Sequence, residues 1–171
     1  MRRSMQAVGA LSFLVAASFA AFGGATEQTF FVSMTGDQEV PGPGDPEGSA
    51  SGTVTLNELT GMVSWDIVYM NLQNVDSVED IVGFHIHPGA FGESGGIHIG
   101  LGTTNMGLGT LVGSTVAPLD DVAAVLADPF GFYVNIHTND FTPGAVRGQL
   151  PAPSGAALLL LGAGMAARRR R

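Results

Sequence analysis

The sequence of 171 residues contains no cysteine and no lysine. Without cysteine, disulfide bonds, thiolate metal sites and cysteine nucleophiles are excluded. All seven basic residues are arginines, and six of them lie at the two ends of the chain. Between residues 26 and 150 a single arginine, Arg147, stands against fifteen carboxylates, which gives a formal net charge of −14. Because phosphate backbones are bound through lysine and arginine, this composition excludes nucleic acid as a partner.

Residues 1–25 carry the parts of a secretory signal peptide. Arg2 and Arg3 precede an apolar stretch from Ala7 to Phe22, and small residues follow it. We predict cleavage after Ala25 and an exported protein, located at the cell surface or outside the cell. An uncleaved membrane anchor is the alternative interpretation of the same segment.

Residues 151–171 have a second targeting pattern. A short proline motif is followed by an apolar run and a basic end: Pro151, Ala152 and Pro153, then residues 155–167, then Arg168, Arg169, Arg170 and Arg171. The run of thirteen residues is short against the roughly 20 that a transmembrane helix needs, and the arginines favour the cytoplasmic side.

This tail resembles the bacterial PEP-CTERM sorting signal, with Ala152 where that signal usually has glutamate. The resemblance implies an exosortase-type membrane enzyme as partner, and contact with the membrane until the tail is removed. A plain C-terminal anchor is the alternative.

Residues 26–150 are predicted to form one domain. Alternating apolar and polar residues, bounded by glycine and proline turns, predict strands rather than helices. Leu119–Ala127 is the one predicted helix, with acidic residues near its start and Pro129 beyond its end. The strand segments are residues 28–35, 50–57, 62–70, 81–87, 97–101, 108–116, 131–138 and 145–150. We therefore predict an all-β fold, an antiparallel Greek-key-type β-sandwich of about eight strands with one short helical crossover.

The loop over residues 36–49 is rich in carboxylates and proline. Asp37, Glu39, Asp45 and Glu47 are oxygen donors of the kind that calcium prefers. Their spacing matches no calcium loop, so we predict a solvated acidic loop instead.

Four histidines lie in three strand segments with polar neighbours. His85 and His87 are two residues apart and therefore share one face of a strand. His137 shares a face with Asn135 in the same way, and His98 follows a glycine-rich connection that could place it beside His87. Polar residues of the last two strands join them in a predicted polar face: Asn135, Thr138, Arg147 and Gln149.

Two interpretations of this polar face remain open. In the first, His85, His87, His98 and His137 bind a metal ion, and imidazoles without thiolates indicate copper or zinc. In the second, the same side chains form a lattice of hydrogen bonds and bind no metal. We favour the lattice interpretation, and the sequence does not identify a cofactor.

Three segments in this order resemble the CHRD domain, which was named from chordin and also occurs in exported bacterial proteins. They are Gln38-Glu39-Val40-Pro41, Gly83-Phe84-His85-Ile86-His87, and residues 133–138 followed by 144–150. Ala145 replaces the acidic residue usual before the final arginine motif. The resemblance implies an extracellular β-sandwich without a settled biochemical activity. We accordingly predict an exported binding or structural module, contacting an extracellular protein or polysaccharide, rather than an enzyme.

A weaker resemblance is to copper/zinc superoxide dismutases, whose first copper ligands lie in a Gly-Phe-His-x-His segment. It implies the four histidines as copper ligands and Arg147 as an anion-guiding residue. The cysteine pair and a separate zinc site are missing, and the strongly negative domain repels an anionic substrate. A dismutase-like enzyme or a metal-binding protein is therefore the alternative function.

Overall fold

The computed structural model describes residues 26–102 and 108–151. The predicted signal peptide and all of the predicted sorting tail except Pro151 lie outside the described residues. Within the part of the chain that is described, no helix is both long and apolar enough to cross a membrane.

The described residues contain eight strands and one α-helix. The strands are β1 (Glu27–Thr35), β2 (Ser49–Asn57), β3 (Met62–Met70), β4 (Ile81–Pro88), β5 (Ile99–Gly100), β6 (Thr110–Val116), β7 (Phe132–Thr138) and β8 (Val146–Gln149). The helix α1 spans Leu119–Ala127, the predicted bounds, and lies in the crossover from β6 to β7. The all-β prediction is confirmed.

The eight strands form one antiparallel sheet in the order β5-β4-β7-β8-β1-β2-β3-β6. The sheet curls over itself. The evidence is that Trp65 of β3 packs edge-on against Phe84 of β4, with ring centroids 5.9 Å apart. These two strands are separated by four others in the sheet, so the contact crosses the interior. The two predicted layers are thus parts of one continuous, nearly barrel-shaped sheet.

The inner face of the sheet is mainly apolar. Val32, Ile67, Ile86 and Val134 alternate with outward-facing residues and are fully buried. Burial of such side chains contributes roughly 1.5–3 kcal/mol each to folding. Val122 and Val125 of α1 are buried in the same core, so this face accounts for the strand pattern in the sequence.

The outer face of β4, β7 and β8 is polar and yet largely buried. His87, Asn135 and Arg147 on this face are at most 5% exposed. Two loops account for the burial: residues 36–48, between β1 and β2, and residues 89–98, between β4 and β5. Hydrogen bonds join both loops to this side of the sheet, as from Asp45 N to Ala145 O and from His98 N to Ile86 O.

The predicted solvated acidic loop is wrong for two of its four carboxylates. Asp45 is 1% exposed, and its oxygens accept backbone N–H groups of Glu47, Gly48 and Gln73. Glu39 is 7% exposed and points to the polar face. Composition identifies the loop as acidic. Burial of Asp45 depends on backbone N–H donors, and burial of Glu39 depends on its contact with Asn135 of β7.

Candidate metal centre

The register between β4 and β7 brings three histidines together on the outer face. Gly83 pairs with His137, and His85 pairs with Asn135. Since paired residues of antiparallel strands lie side by side, His137 is a diagonal neighbour of His85. His87 follows two residues along the same face of β4. We call His85, His87 and His137 the histidine centre.

One ring nitrogen from each of the three histidines lies within 4.8 Å of those of the other two. The ring centroids are 5.1 to 5.7 Å apart, and no two of these rings stack face to face. Around a bound ion, ligand nitrogens about 2.0–2.1 Å from the metal lie about 3.4 Å from one another. Ring rotations that move each nitrogen atom by about 1 Å bring the three nitrogens to that spacing.

Backbone carbonyls determine which nitrogens of two rings carry protons. His87 Nδ1 lies 3.1 Å from Gly95 O, and His137 Nδ1 lies 2.9 Å from Thr142 O. A carbonyl oxygen only accepts, so Nδ1 of both rings is the donor. In the neutral rings, Nε2 therefore keeps its lone pair. Metal-ligating histidines commonly donate their second nitrogen in this way, which fixes the ring and its tautomer.

The lone pairs that face the centre have no hydrogen-bond partner. In the part of the chain that the structure describes, eight buried side-chain nitrogen or oxygen atoms lack a partner. Five of them belong to this one side of the sheet: Glu39 Oε1, His85 Nδ1, His87 Nε2, Asn135 Oδ1 and His137 Nε2. Native interiors leave few such atoms, so their concentration indicates a ligand that these atoms contact.

Burial favours the neutral form of two histidines of the centre, His85 and His87. It lowers the pKa of His85 from 6.5 to about 4, with further lowering by the neighbouring His137 and His87. Burial also lowers the pKa of His87, against hydrogen bonds that raise it. Because only the neutral imidazole binds a metal, burial favours the ligating form of these two rings at neutral pH.

The absence of a side chain at Gly83 makes room for two of the rings. A Cβ atom at this position would lie 2.6 Å from His85 Cε1 and 3.2 Å from His137 Cδ2. Cβ atoms in proteins do not come within 3.0 Å of such atoms. A glycine two residues before the first histidine is therefore part of the geometry of the centre.

A buried amide and carboxylate adjoin the centre. Asn135 lies opposite His85 in β4 and opposite Arg147 in β8, and its Nδ2 donates to Glu39 Oε2 over 3.2 Å. Burial raises the pKa of Glu39 to about 7, although Arg147 and the Asn135 hydrogen bond lower it. Sequence reasoning missed Glu39 as part of the site, because nothing distinguishes it from its acidic neighbours except the Gln-Glu-Val-Pro motif.

Arg147 belongs to a different polar cluster on the same face. Its guanidinium donates to Glu93 O at 2.5 Å and Ala90 O at 3.0 Å, and lies 3.5 Å from the centroid of the Tyr133 ring. It also donates to Gln149 Oε1. We call Arg147 and Gln149, with the carbonyls they bind, the arginine lattice.

Gln149 completes the lattice through its amide nitrogen. Its Nε2 donates to the carbonyl oxygens of Gly89, Phe130 and Phe132 over 2.7 to 2.9 Å. Arg147 and Gln149 thus have hydrogen bonds of the kind that the lattice interpretation describes. The facing nitrogens of the histidine centre have no such partners among the described residues.

The structure places two predicted site residues elsewhere. His98 Nε2 lies 3.1 Å from Asp121 O, its ring packs on Phe132, and the histidine centre of the described residues does not include it. Thr138 lies on the opposite face of β7 from Asn135, and its hydroxyl accepts the Phe141 N–H. Alternation along the strand predicts the face of Thr138, whereas the position of His98 depends on a loop.

The family model that matches the sequence is the CHRD domain, over residues 30–150. The chain belongs to the CHRD family. No curated protein and no solved structure matches it. The three motif segments that indicated this family meet at one place in the fold. In this CHRD domain, the first contributes Glu39, the second His85 and His87, and the third Asn135 and His137.

Proposed function

We propose that this CHRD domain is an exported metal-binding module that holds one copper or zinc ion through His85, His87 and His137. The observation that carries the proposal is the convergence of three histidines, each with a buried ring nitrogen that has no hydrogen-bond partner among the described residues. A buried acceptor left unpaired costs about 1–3 kcal/mol, and an ion bound by all three nitrogens removes that cost. Imidazole nitrogens suit copper and zinc better than calcium or magnesium.

The geometry favours metal binding over dismutase chemistry. The dismutase-like alternative uses four histidines and an arginine that attracts the anionic substrate. His98 bonds to Asp121 O, away from the other three histidines. Arg147 is 1% exposed, and its guanidinium is occupied by the carbonyls of Ala90 and Glu93.

Elemental analysis of the full chain, purified without a histidine tag, tests the proposal. We expect one copper or zinc ion per chain in the wild type and in His98→Ala. We expect the loss of that ion in His85→Ala and in His137→Ala. An ion content equal in all four proteins, or no ion in any of them, would reject the histidine centre.

Export and sorting are part of the proposal and are supported by the two ends of the sequence. We expect the mature protein to begin near Thr26 or Glu27, and N-terminal sequencing that finds Met1 retained would reject the signal peptide. Replacing Arg168, Arg169, Arg170 and Arg171 with glutamine should leave the tail unprocessed or the protein misplaced, since the positive-inside bias is lost. Unchanged processing and location would mean that the arginines are incidental to sorting by an exosortase-type enzyme.

The proposed module would act at the cell surface or in the surrounding matrix, where an extracellular protein or polysaccharide is the expected partner. The net charge of −14 between residues 26 and 150 supports a partner that is not anionic. Binding of the tag-free protein to isolated cell envelopes, with and without metal, tests this part of the proposal.

A further inference from the structure

The histidine centre has three protein ligands and not four. Among the described residues, the group that could hold a metal contains His85, His87 and His137, and no carboxylate joins it. Structural zinc sites are closed by four protein ligands, whereas sites with three keep a position for water or another small ligand. The number of ligands therefore leaves one coordination position to be filled from outside the chain.

A buried amide lies beside that position. Asn135 is 2% exposed, and it pairs with His85 across the two strands. Its Nδ2 donates to Glu39, while its Oδ1 is buried and has no partner among the described residues. An amide oxygen only accepts hydrogen bonds, so a group that satisfies it must bring a donor.

Glu39 fixes the orientation of this amide. Above pH 7 the Glu39 carboxylate is ionised and has no proton to donate, so it binds the NH₂ side of Asn135 and turns the oxygen away from itself. The carboxylate is itself confined, because a Cβ at Gly144 would lie 2.5 Å from Glu39 Oε2 and one at Gly44 would lie 2.6 Å from Glu39 Cγ. Two glycines therefore make room for the side chain that orients Asn135.

A cleft adjoins the centre at His85. It has a volume of about 480 Å³ and lies between β4 with β5 on one side and β6 on the other, which the curled sheet brings together. His85 and Gly83 line it on one side, and Ser114 and Thr115 line it on the other. The cleft thus gives a small ligand access to the His85 side of the centre.

We propose that Asn135 Oδ1 accepts a hydrogen bond from a water molecule that completes the coordination of the metal, so that the centre keeps one exchangeable position. This inference rests on the proposed metal-binding function. Asn135 binds the water directly, and Glu39 is a positioning residue that acts through Asn135. The ligand class that the position takes is a small molecule or anion that can replace water.

Azide binding to the copper(II)-loaded full chain tests the inference, through the azide-to-copper absorption band. Azide has no hydrogen to donate, so Asn135 favours water over azide. Asn135→Leu, which removes the acceptor at similar volume, should bind azide about five- to tenfold more tightly, the equivalent of one hydrogen bond. Copper affinity should change by less than a few-fold, since the three ligands remain.

Two further variants keep the test decisive if Asn135→Leu does not fold. In Glu39→Gln the new side-chain amide can donate to Asn135 Oδ1, so the orientation of Asn135 is no longer fixed. Azide should then bind about two- to threefold more tightly than to the wild type. Asn139→Leu is the control, because this exposed residue bonds to Asp80 and should leave azide affinity unchanged.

The outcomes separate the inference from the function on which it rests. Copper bound by the wild type with an azide affinity that falls or stays the same in Asn135→Leu and Glu39→Gln overturns the inference alone. Loss of copper from Asn135→Leu, with no azide band in the wild type, would make Asn135 a fourth ligand and overturns it too. No copper in the wild type rejects both proposals.

Discussion

The outer face of β4, β7 and β8 carries two polar clusters that differ in how far their hydrogen bonds are satisfied. In the arginine lattice, the guanidinium of Arg147 and the amide of Gln149 bind backbone carbonyls of residues 89–93 and 130–132. In the histidine centre, the facing nitrogens have no partner among the described residues. Residues 89–96 contact both clusters, through Arg147 in one and His87 in the other, so contact with this loop does not separate them. The difference in hydrogen bonding supports a structural role for the arginine lattice and the proposed ligand binding by the histidine centre.

The largest effect is expected in the arginine lattice. Arg147→Met should lower the free energy of unfolding by about 3–5 kcal/mol, because it leaves buried carbonyls and the Glu39 carboxylate without their partner. Urea unfolding with and without metal measures it. A loss below 1 kcal/mol would show that the lattice does not hold loop 89–96 to the sheet.

The histidine centre should instead respond in metal affinity. We expect His137→Ala to lose at least 100-fold in copper or zinc affinity, so that the stabilisation given by metal at 100 times the wild-type Kd falls from about 2.7 to about 0.4 kcal/mol or less. Isothermal titration and melting curves measure this. His98→Ala is the matched control, because it removes a partly buried histidine that lies outside the centre. Equal losses in the two variants would contradict the assignment.

Glu39 links the two clusters, and its charge gives a pH dependence of known sign. Its folded-state pKa of about 7 lies above the ordinary value of 4.5. The stability that protonated Glu39 contributes is present below pH 4.5 and is lost as pH rises through 7. Glu39→Gln should therefore be about 1–3 kcal/mol more stable than the wild type at pH 8 and nearly equal to it at pH 4.5. Urea unfolding of the chelator-treated proteins measures this, and equal stability at pH 8 would mean that the buried charge is compensated.

A methyl group at Gly83 should weaken metal binding without unfolding the domain. Gly83→Ala displaces the His85 ring, and we expect metal affinity to fall about tenfold, as for other changes around metal ligands. Gly100→Ala is the control. Gly100 of β5 pairs with His85 of β4, and a Cβ atom added there meets no atom within 4 Å. The same titrations compare them, and unchanged affinity in Gly83→Ala would place the rings farther apart in solution.

The smallest effect is the acid sensitivity of the metal-free protein. The folded-state pKa of His85, about 4, lies below 6.5, so the stability that its neutral form contributes is present above pH 6.5 and is lost as pH falls towards 4. His85 is half-buried, so solvent screening limits the loss to about 1 kcal/mol. Chelator-treated His85→Leu should lose less stability than the wild type between pH 6.5 and 5 in urea unfolding. A parallel loss in both proteins would assign the acid sensitivity to other groups.

The fold could be predicted from the sequence because its information is local. Alternation assigned all eight strands and the faces of His85, His87, Asn135 and His137, and it needed no knowledge of strand neighbours. The acidic start and the proline beyond the end fixed the bounds of α1. The single curled sheet was not predictable in this way, because strand order depends on contacts such as Trp65 with Phe84 across the interior.

The candidate site was predicted in part for the same reason. His85, His87 and His137 lie on strands, and the register of β4 with β7 joins them. His98 and Glu39 lie on loops, where their positions depend on backbone carbonyls and glycines far away in sequence. The sequence therefore predicts His98 beside the other histidines and Glu39 in solvent, whereas the structure places His98 against Asp121 O and buries Glu39 against Asn135. The sequence does not predict that the polar face divides into two clusters, because the division depends on individual hydrogen bonds.

The most direct test of the central claim is a melting series of the tag-free protein with copper, zinc or chelator at pH 7.5 and 5.5. The account predicts that metal raises the melting temperature at pH 7.5, in proportion to the logarithm of its excess over the Kd. The rise should be smaller at pH 5.5, where protons compete for the imidazoles, and absent in His137→Ala. Identical curves under all conditions would contradict metal binding by the histidine centre.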